Sequence, residues 1–365
     1  MNSTFKNSSW IYSQSLDVIF SFGGIVISLL LFIVCKKYEY LFGIIFWCWV
    51  LFFDAPHLFI TYLRTYFKKE FYFEKKVFLI SVLLLVCPLL FFIEPIKGVT
   101  FGRFTLLENF LFFAQLWGFW HIVSQHYGFF SLYARKDGVE LTAIPYTKLI
   151  FYLPYFLFYL FFLFFHPYNA KLIGSETLLI IWGFKFILLT VLLVMFVLVC
   201  KHKFKIYLTR APKAFFYYSI YLGYYGLVFI VLSTYEPLYK LANTPTQFFM
   251  FTSLMITLPH NLQYLFIVAV YLIKGNGGVK RYTVVLNSKV MFGVLLFSSL
   301  IWMLGYMSNE FVRLNDSGNR ADFLSYATFA YGLWWGFKLQ HYYLDQKIWR
   351  FRNDEHLKKI MQVPT

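Results

Sequence analysis

The chain has 365 residues, 60% of them hydrophobic and only 14% charged, with a formal net charge of +16 and a mean hydropathy of +0.62. A soluble domain carries about 25% charged residues, so this composition excludes an ordinary water-soluble enzyme. The apolar stretches run to the roughly 20 residues that cross about 30 Å of hydrocarbon as a helix, not the short alternating segments of a barrel. In a chain this apolar, the basic excess marks loops lying against an anionic leaflet, so the partner is the lipid bilayer and not nucleic acid.

A short polar N-terminal tail, 1–16, precedes the first apolar segment, which lacks a small-residue cleavage site and reads as a retained helix, not a signal peptide. Ten spans follow, at 17–35, 41–63, 77–93, 104–133, 148–166, 177–200, 214–235, 246–273, 288–307 and 322–346, and a basic C-terminal tail at 347–365 closes the chain. The expected fold is all-α: a polytopic transmembrane helical bundle forming a single integral membrane domain over 1–365. The Phe and Tyr residues, 48 and 29 in number, read as lipid-facing bulk and interfacial belts. Cys35, Cys48, Cys87 and Cys200 form no CxxC pair, which points away from disulfides and thiolate metal sites.

Charge orients the bundle. The loops after even-numbered spans, counted through Lys148 and Lys289 at the mouths of the next spans, hold 23 Lys and Arg with the two termini, against 8 in the loops after odd-numbered spans. The positive-inside rule then makes both termini cytoplasmic, as in a bacterial inner-membrane protein. Lys185 and Lys338 fall inside spans, and the sequons at Asn2 and Asn7 fall on the inner side.

Ionisable residues inside a bilayer are costly and tend to mark sites. Of eight histidines, His166, His202 and His356 lie at span ends or in polar segments, while five lie in apolar helices. These are His57 in FFDAPHLF, His121 and His126 in GFWHIVSQHYGF, His260 in TLPHNLQY and His341 in KLQHYYLDQKIW. All fall on even-numbered spans between the mid-plane and the cytoplasmic surface, as a shared metal site requires. Asp54 precedes His57 by three residues and Asp345 follows His341 by four, so each carboxylate shares a helix face with a histidine. Each is expected to orient that imidazole or to bind metal itself. Gln125, four residues after His121, and Asn261, beside His260, are further polar candidates. Pro56 and Pro259 each precede a histidine and free a backbone carbonyl that can kink the helix.

Imidazole with carboxylate suits Fe, Zn, Cu or Ni. The expected cofactor is non-heme Fe, with Zn or heme as alternatives, heme because its iron also takes axial histidine. WHIVSQH is similar to one histidine box of the membrane fatty-acid desaturases and hydroxylases, although their HxxHH-type boxes are missing. FFDAPHLF, WHIVSQHYGF and TLPHNLQY together resemble motifs of the Brp/Blh group, which is similar to β-carotene 15,15'-dioxygenases. That resemblance covers short pieces only. It implies non-heme iron held by His57, His121, His126 and His260, and O₂-dependent cleavage or hydroxylation of a lipophilic substrate such as a carotenoid or acyl chain. The expected function is thus a membrane iron oxygenase. The rival is a transporter whose histidines and carboxylates conduct protons or metal ions.

Overall fold

The computed structural model describes residues 10–66, 74–101, 104–141, 146–165, 204–234, 245–275, 326–349 and 355–361, with isolated helical positions at 187, 190, 191, 194, 293, 296 and 300. The described chain is mostly helical. Four of its helices, at Gln14–Lys37, Phe42–Tyr62, Pro212–Ser233 and Phe251–Tyr271, are long and apolar enough to cross a membrane. Predicted spans 177–200 and 288–307 lie largely outside the described residues, as do Asn2, Asn7, His166, Lys185 and His202. The all-α expectation omits one short antiparallel pairing, β1 (Thr100–Phe101) with β2 (Phe104–Thr105). The chain separates into two compact units.

The first unit comprises 1–46, 125–266 and 356–365. It contains α1 (Gln14–Lys37), most of α2 (Phe42–Trp49) and the C-terminal part of α6 (Leu106–Lys136). It also holds α7 (Thr147–Phe165), α8 (Phe204–Arg210), α9 (Pro212–Thr234), most of α10 (Pro245–Gly275) and α12 (Glu355–Met361). The helix ends show why they stop where they do. At the start of α1, Ser13 accepts from the Leu16 amide, and the buried Asp17 carboxylate accepts from the amides of Ile11, Tyr12 and Ser13, which satisfies free N–H groups and puts negative charge at the positive helix end. The other end of α6 closes on Gly138, whose φ of 77° suits glycine. The amides of Gly138 and Val139 return to the carbonyls of Arg135 and Ala134, satisfying carbonyls the helix leaves open. Nearby, Lys213 donates to Asp137 at 2.7 Å.

Tyrosines of α9 do much of the polar work here. Pro154 in α7 and Pro259 in α10 have no N–H, so the carbonyls four residues earlier, Ile150 and Met255, lose their helical donor. Tyr218 donates to Ile150 O at 3.1 Å and Tyr224 to Met255 O at 2.6 Å. A hydroxyl thus supplies, in the interior, what water cannot. Gly24 of α1 sits so close to Pro259 that a Cβ there would come within 2.6 Å of its Cα. Reading the aromatics as lipid-facing bulk is therefore incomplete: Tyr155, Tyr217, Tyr221 and Tyr225 are fully buried.

The second unit comprises 47–124 and 267–355. Here the predicted span 41–63 is divided, with a π segment at Val50–Asp54 leading into α3 (Ala55–Arg64). Pro56 explains this. Its ring would clash with the carbonyl four residues earlier in a regular helix, and widening the turn relieves that clash. The Ala55 amide accordingly bonds to Val50 O, five residues back. After α4 (Lys75–Leu90), the short α5 (Glu94–Lys97) and the β pairing, a Thr105–Glu108 capping box opens α6, with the Thr105 amide donating to Glu108 at 2.7 Å. Glu108 is therefore accounted for as a cap. The second unit's last long helix, α11 (Tyr326–Ile348), packs along α4 through Gly332 and Gly336. A Cβ on Gly336 would overlap the Leu85 carbonyl, and one on Gly332 would meet Leu89. This small-xxx-small spacing lets the two backbones approach closely.

Candidate metal centre

Three of the five histidines that the sequence places in apolar helices meet in the second unit. The π segment delivers His57 one turn into α3, α6 carries His121, and α11 carries His341 and Asp345 one turn apart. The three rings are buried, at 4%, 3% and 0% exposure, and Asp345 at 6%. His57 Nε2 lies 2.9 Å from His341 Nε2. Asp345 Oδ2 lies 3.5 Å from His341 Nε2 and 3.8 Å from His121 Nε2. One nitrogen from each ring falls within 4.8 Å of the others.

Proton bookkeeping fixes the tautomer of His341. Thr61, on the same face of α3 as His57, donates its single hydroxyl hydrogen to Asp345 Oδ1 at 2.9 Å. Its oxygen must then accept from His341 Nδ1, which is 2.8 Å away. The Nδ1–H tautomer leaves a lone pair on His341 Nε2. That lone pair can accept from His57 Nε2–H at 2.9 Å or bind a cation, and Asp345 Oδ2 lies 3.5 Å away. Three imidazoles and a carboxylate oxygen suit a transition-metal ion. The 2.9 Å separation of the two Nε2 atoms is close to that of adjacent ligands each about 2.1 Å from a six-coordinate ion.

Aromatic and polar contacts hold the rings. Tyr342 stacks on His121 with centroids 4.8 Å apart, and the absence of a side chain on Gly118 leaves room for its hydroxyl. Next to His341, Gln340 accepts from Tyr62 at 2.6 Å and donates to Tyr66 at 2.6 Å, and Tyr66 meets Ser81 of α4 at 2.7 Å. This chain ties α3, α4 and α11 together beside the centre.

No protein-family model, curated protein or solved structure matches the chain. The reading of the site therefore rests on its own geometry.

The remaining sequence-predicted residues have the following surroundings. Asp54 is buried, and its charge acts on Lys338 and Tyr342. Lys338 Nζ sits 3.9 Å over the Trp334 ring. In the first unit, His260 and Asn261 are buried on α10. Gln125 donates to the His260 carbonyl at 2.9 Å. The expectation that His126 joins the ligand set is corrected: both its ring nitrogens are taken by tyrosines, Nδ1 by Tyr217 and Nε2 by Tyr225, each at 2.9 Å. Five residues turn a helix by about 140° beyond a full turn, so His121 and His126 cannot share a face.

Sequence reasoning missed Thr61, an ordinary threonine within LFITYLR. Its only early sign is its position four residues after His57. Replacing Thr61 with Val should lower metal affinity about 10–100-fold, the usual effect of removing a group that orients a ligand. Thr61→Ser should restore most of it. Competition titration with Co(II) or Zn(II) measures both, and equal affinities for Val and Ser would count against the assigned role.

Proposed function

We propose that this chain is a multi-pass membrane metalloenzyme, a non-heme iron oxygenase acting on an apolar substrate of the carotenoid or acyl-chain class. The observation that carries the reading is the buried convergence of His57, His121, His341 and Asp345, with Thr61 holding His341 in the tautomer that leaves Nε2 available to a metal. His57, His121 and His341 are assigned as ligands through their ring nitrogens, and Asp345 as a ligand through Oδ2. His260 is assigned as the fourth imidazole from its buried position and its place after Pro259 at matching depth in the sequence. Histidine-and-carboxylate sets with open positions suit ferrous iron, and such an ion supplies O₂ activation when bound.

The chain's own residues do the rest. Thr61 fixes the His341 tautomer, Tyr342 holds the His121 ring, and burial keeps the three imidazoles from bulk water. The resemblance of FFDAPHLF, WHIVSQHYGF and TLPHNLQY to Brp/Blh motifs supplies the substrate class. The four span-length apolar helices support a lipid-embedded protein. The alternating loop charges support ten spans with both termini cytoplasmic, in a bacterial inner membrane.

Metal analysis of the detergent-purified chain tests the reading, with about one iron per chain expected. A Soret band would move the assignment to heme. Protein free of stoichiometric metal after anaerobic purification and iron loading would sink it. Metal uptake into proteoliposomes would favour the transporter.

A further inference from the structure

The first unit also holds a buried polar group built around His126, whose ring centroid lies 6.5 Å from that of His260. Its ring, fully buried, packs 4.3 Å from Tyr221 and is bracketed by Tyr217 at Nδ1 and Tyr225 at Nε2. The directions of these hydrogen bonds can be worked out. Tyr225 has one hydroxyl hydrogen, and the Ile256 carbonyl, 2.9 Å away, can only accept. The Tyr225 oxygen must therefore accept from His126 Nε2–H. A neutral imidazole protonated at Nε2 has its lone pair on Nδ1, so Tyr217 donates to Nδ1. Gln263 Nε2 in turn donates to the Tyr217 oxygen at 2.8 Å. The chain runs one way, from Gln263 through Tyr217, His126 and Tyr225 to the Ile256 carbonyl.

This asymmetry separates two tyrosines that look alike in the sequence. A phenol gives up an electron at accessible potential only if its proton can leave at the same time, and Tyr217 has a base waiting 2.9 Å away. The hydrogen of Tyr225 points at an amide carbonyl, which is a poor base. We propose that Tyr217 and His126 form a redox-active pair. One electron leaves Tyr217 for an oxidised transition-metal ion, its phenolic proton moves to His126 Nδ1, and the products are a neutral tyrosyl radical, an imidazolium and the reduced metal ion. The imidazolium keeps its Nε2–H bond to Tyr225, and the radical oxygen keeps the hydrogen bond from Gln263. Burial keeps the proton beside the radical, so re-reduction returns it. The pair rests on the metalloenzyme reading only for its physiological electron acceptor.

The test uses the full-length, metal-free chain in lipid nanodiscs, with photogenerated ruthenium(III) tris-bipyridine as the oxidant and freeze-quenched high-field electron paramagnetic resonance as the readout. Wild-type protein should give a long-lived tyrosyl component with the lowered g-value of a hydrogen-bonded radical. Tyr217→Phe should abolish it and Tyr225→Phe should retain it. Retention in Tyr217→Phe, or loss in Tyr225→Phe alone, overturns the proposal. If Tyr217→Phe does not fold, 3-fluorotyrosine at position 217 must add fluorine splitting to that component, and its absence is equally fatal. The oxidant is external and the chain metal-free, so failure of the metal reading leaves this outcome unchanged.

Discussion

Purified His341→Ala protein should retain no stoichiometric metal. His341 contributes more than one donor atom: its Nε2 faces His57, and its Nδ1 anchors Thr61, which in turn holds Asp345. Losing the ring removes a ligand and releases the group that orients the carboxylate. The loss should therefore exceed the roughly 100-fold typical of an outer-shell change alone. His126→Gln is the matched comparison. It also alters a buried histidine, but one whose nitrogens are engaged by tyrosines, so metal content should stay at the wild-type level. Equal metal loss in both variants would mean that the effect is general destabilisation and that the ligand assignment is wrong.

The second large effect is expected at Gly336. Gly336→Ala would drive a methyl group into the Leu85 backbone, where no side chain can rotate away. α4 and α11 must then separate. Overpacking of this kind costs about 1–3 kcal/mol, and contact with backbone puts it at the upper end. Gly128 makes a clean control, because a Cβ there meets nothing within 4 Å and alanine favours the helix interior by up to about 1 kcal/mol. Thermal unfolding in detergent should show a lower midpoint for Gly336→Ala and an unchanged or higher one for Gly128→Ala. Because α11 carries His341 and Asp345, metal affinity should fall together with the midpoint. A Gly336→Ala midpoint equal to wild type would contradict the packing described.

Much of this was legible in the sequence because a bilayer tolerates few exceptions. Long apolar helices are forced by the need to satisfy every backbone group internally, and a charged or imidazole side chain at depth must have a partner. That reasoning singled out His57, His121 and His341, and the four-residue spacing of His341 and Asp345 was enough to place them together. Thr61 was not legible, since a hydroxyl acquires its role only from what tertiary packing sets opposite it. His126 was misread because depth along the membrane carries no information on angle around the helix. The stripe of Tyr217, Tyr221, Tyr224 and Tyr225 follows helical spacing in plain view, yet abundant aromatics invite a lipid-facing reading. Each of those hydroxyls turns inward to its own partner: Tyr217 to His126, Tyr221 to the Ser21 carbonyl, Tyr224 to the Met255 carbonyl freed by Pro259, and Tyr225 to the Ile256 carbonyl.

The widened turn at Val50–Asp54 means that Trp49 and His57 do not belong to one helical wheel. A five-residue loop in the backbone ladder packs in one residue more than regular winding needs, so every position beyond it is rotated out of phase with those before it. An inserted residue in an ancestral straight helix would produce the same pattern. The rods on either side can then face different surroundings, one tuned to its helical neighbours and the other aimed at His341, without either dictating the orientation of its continuation.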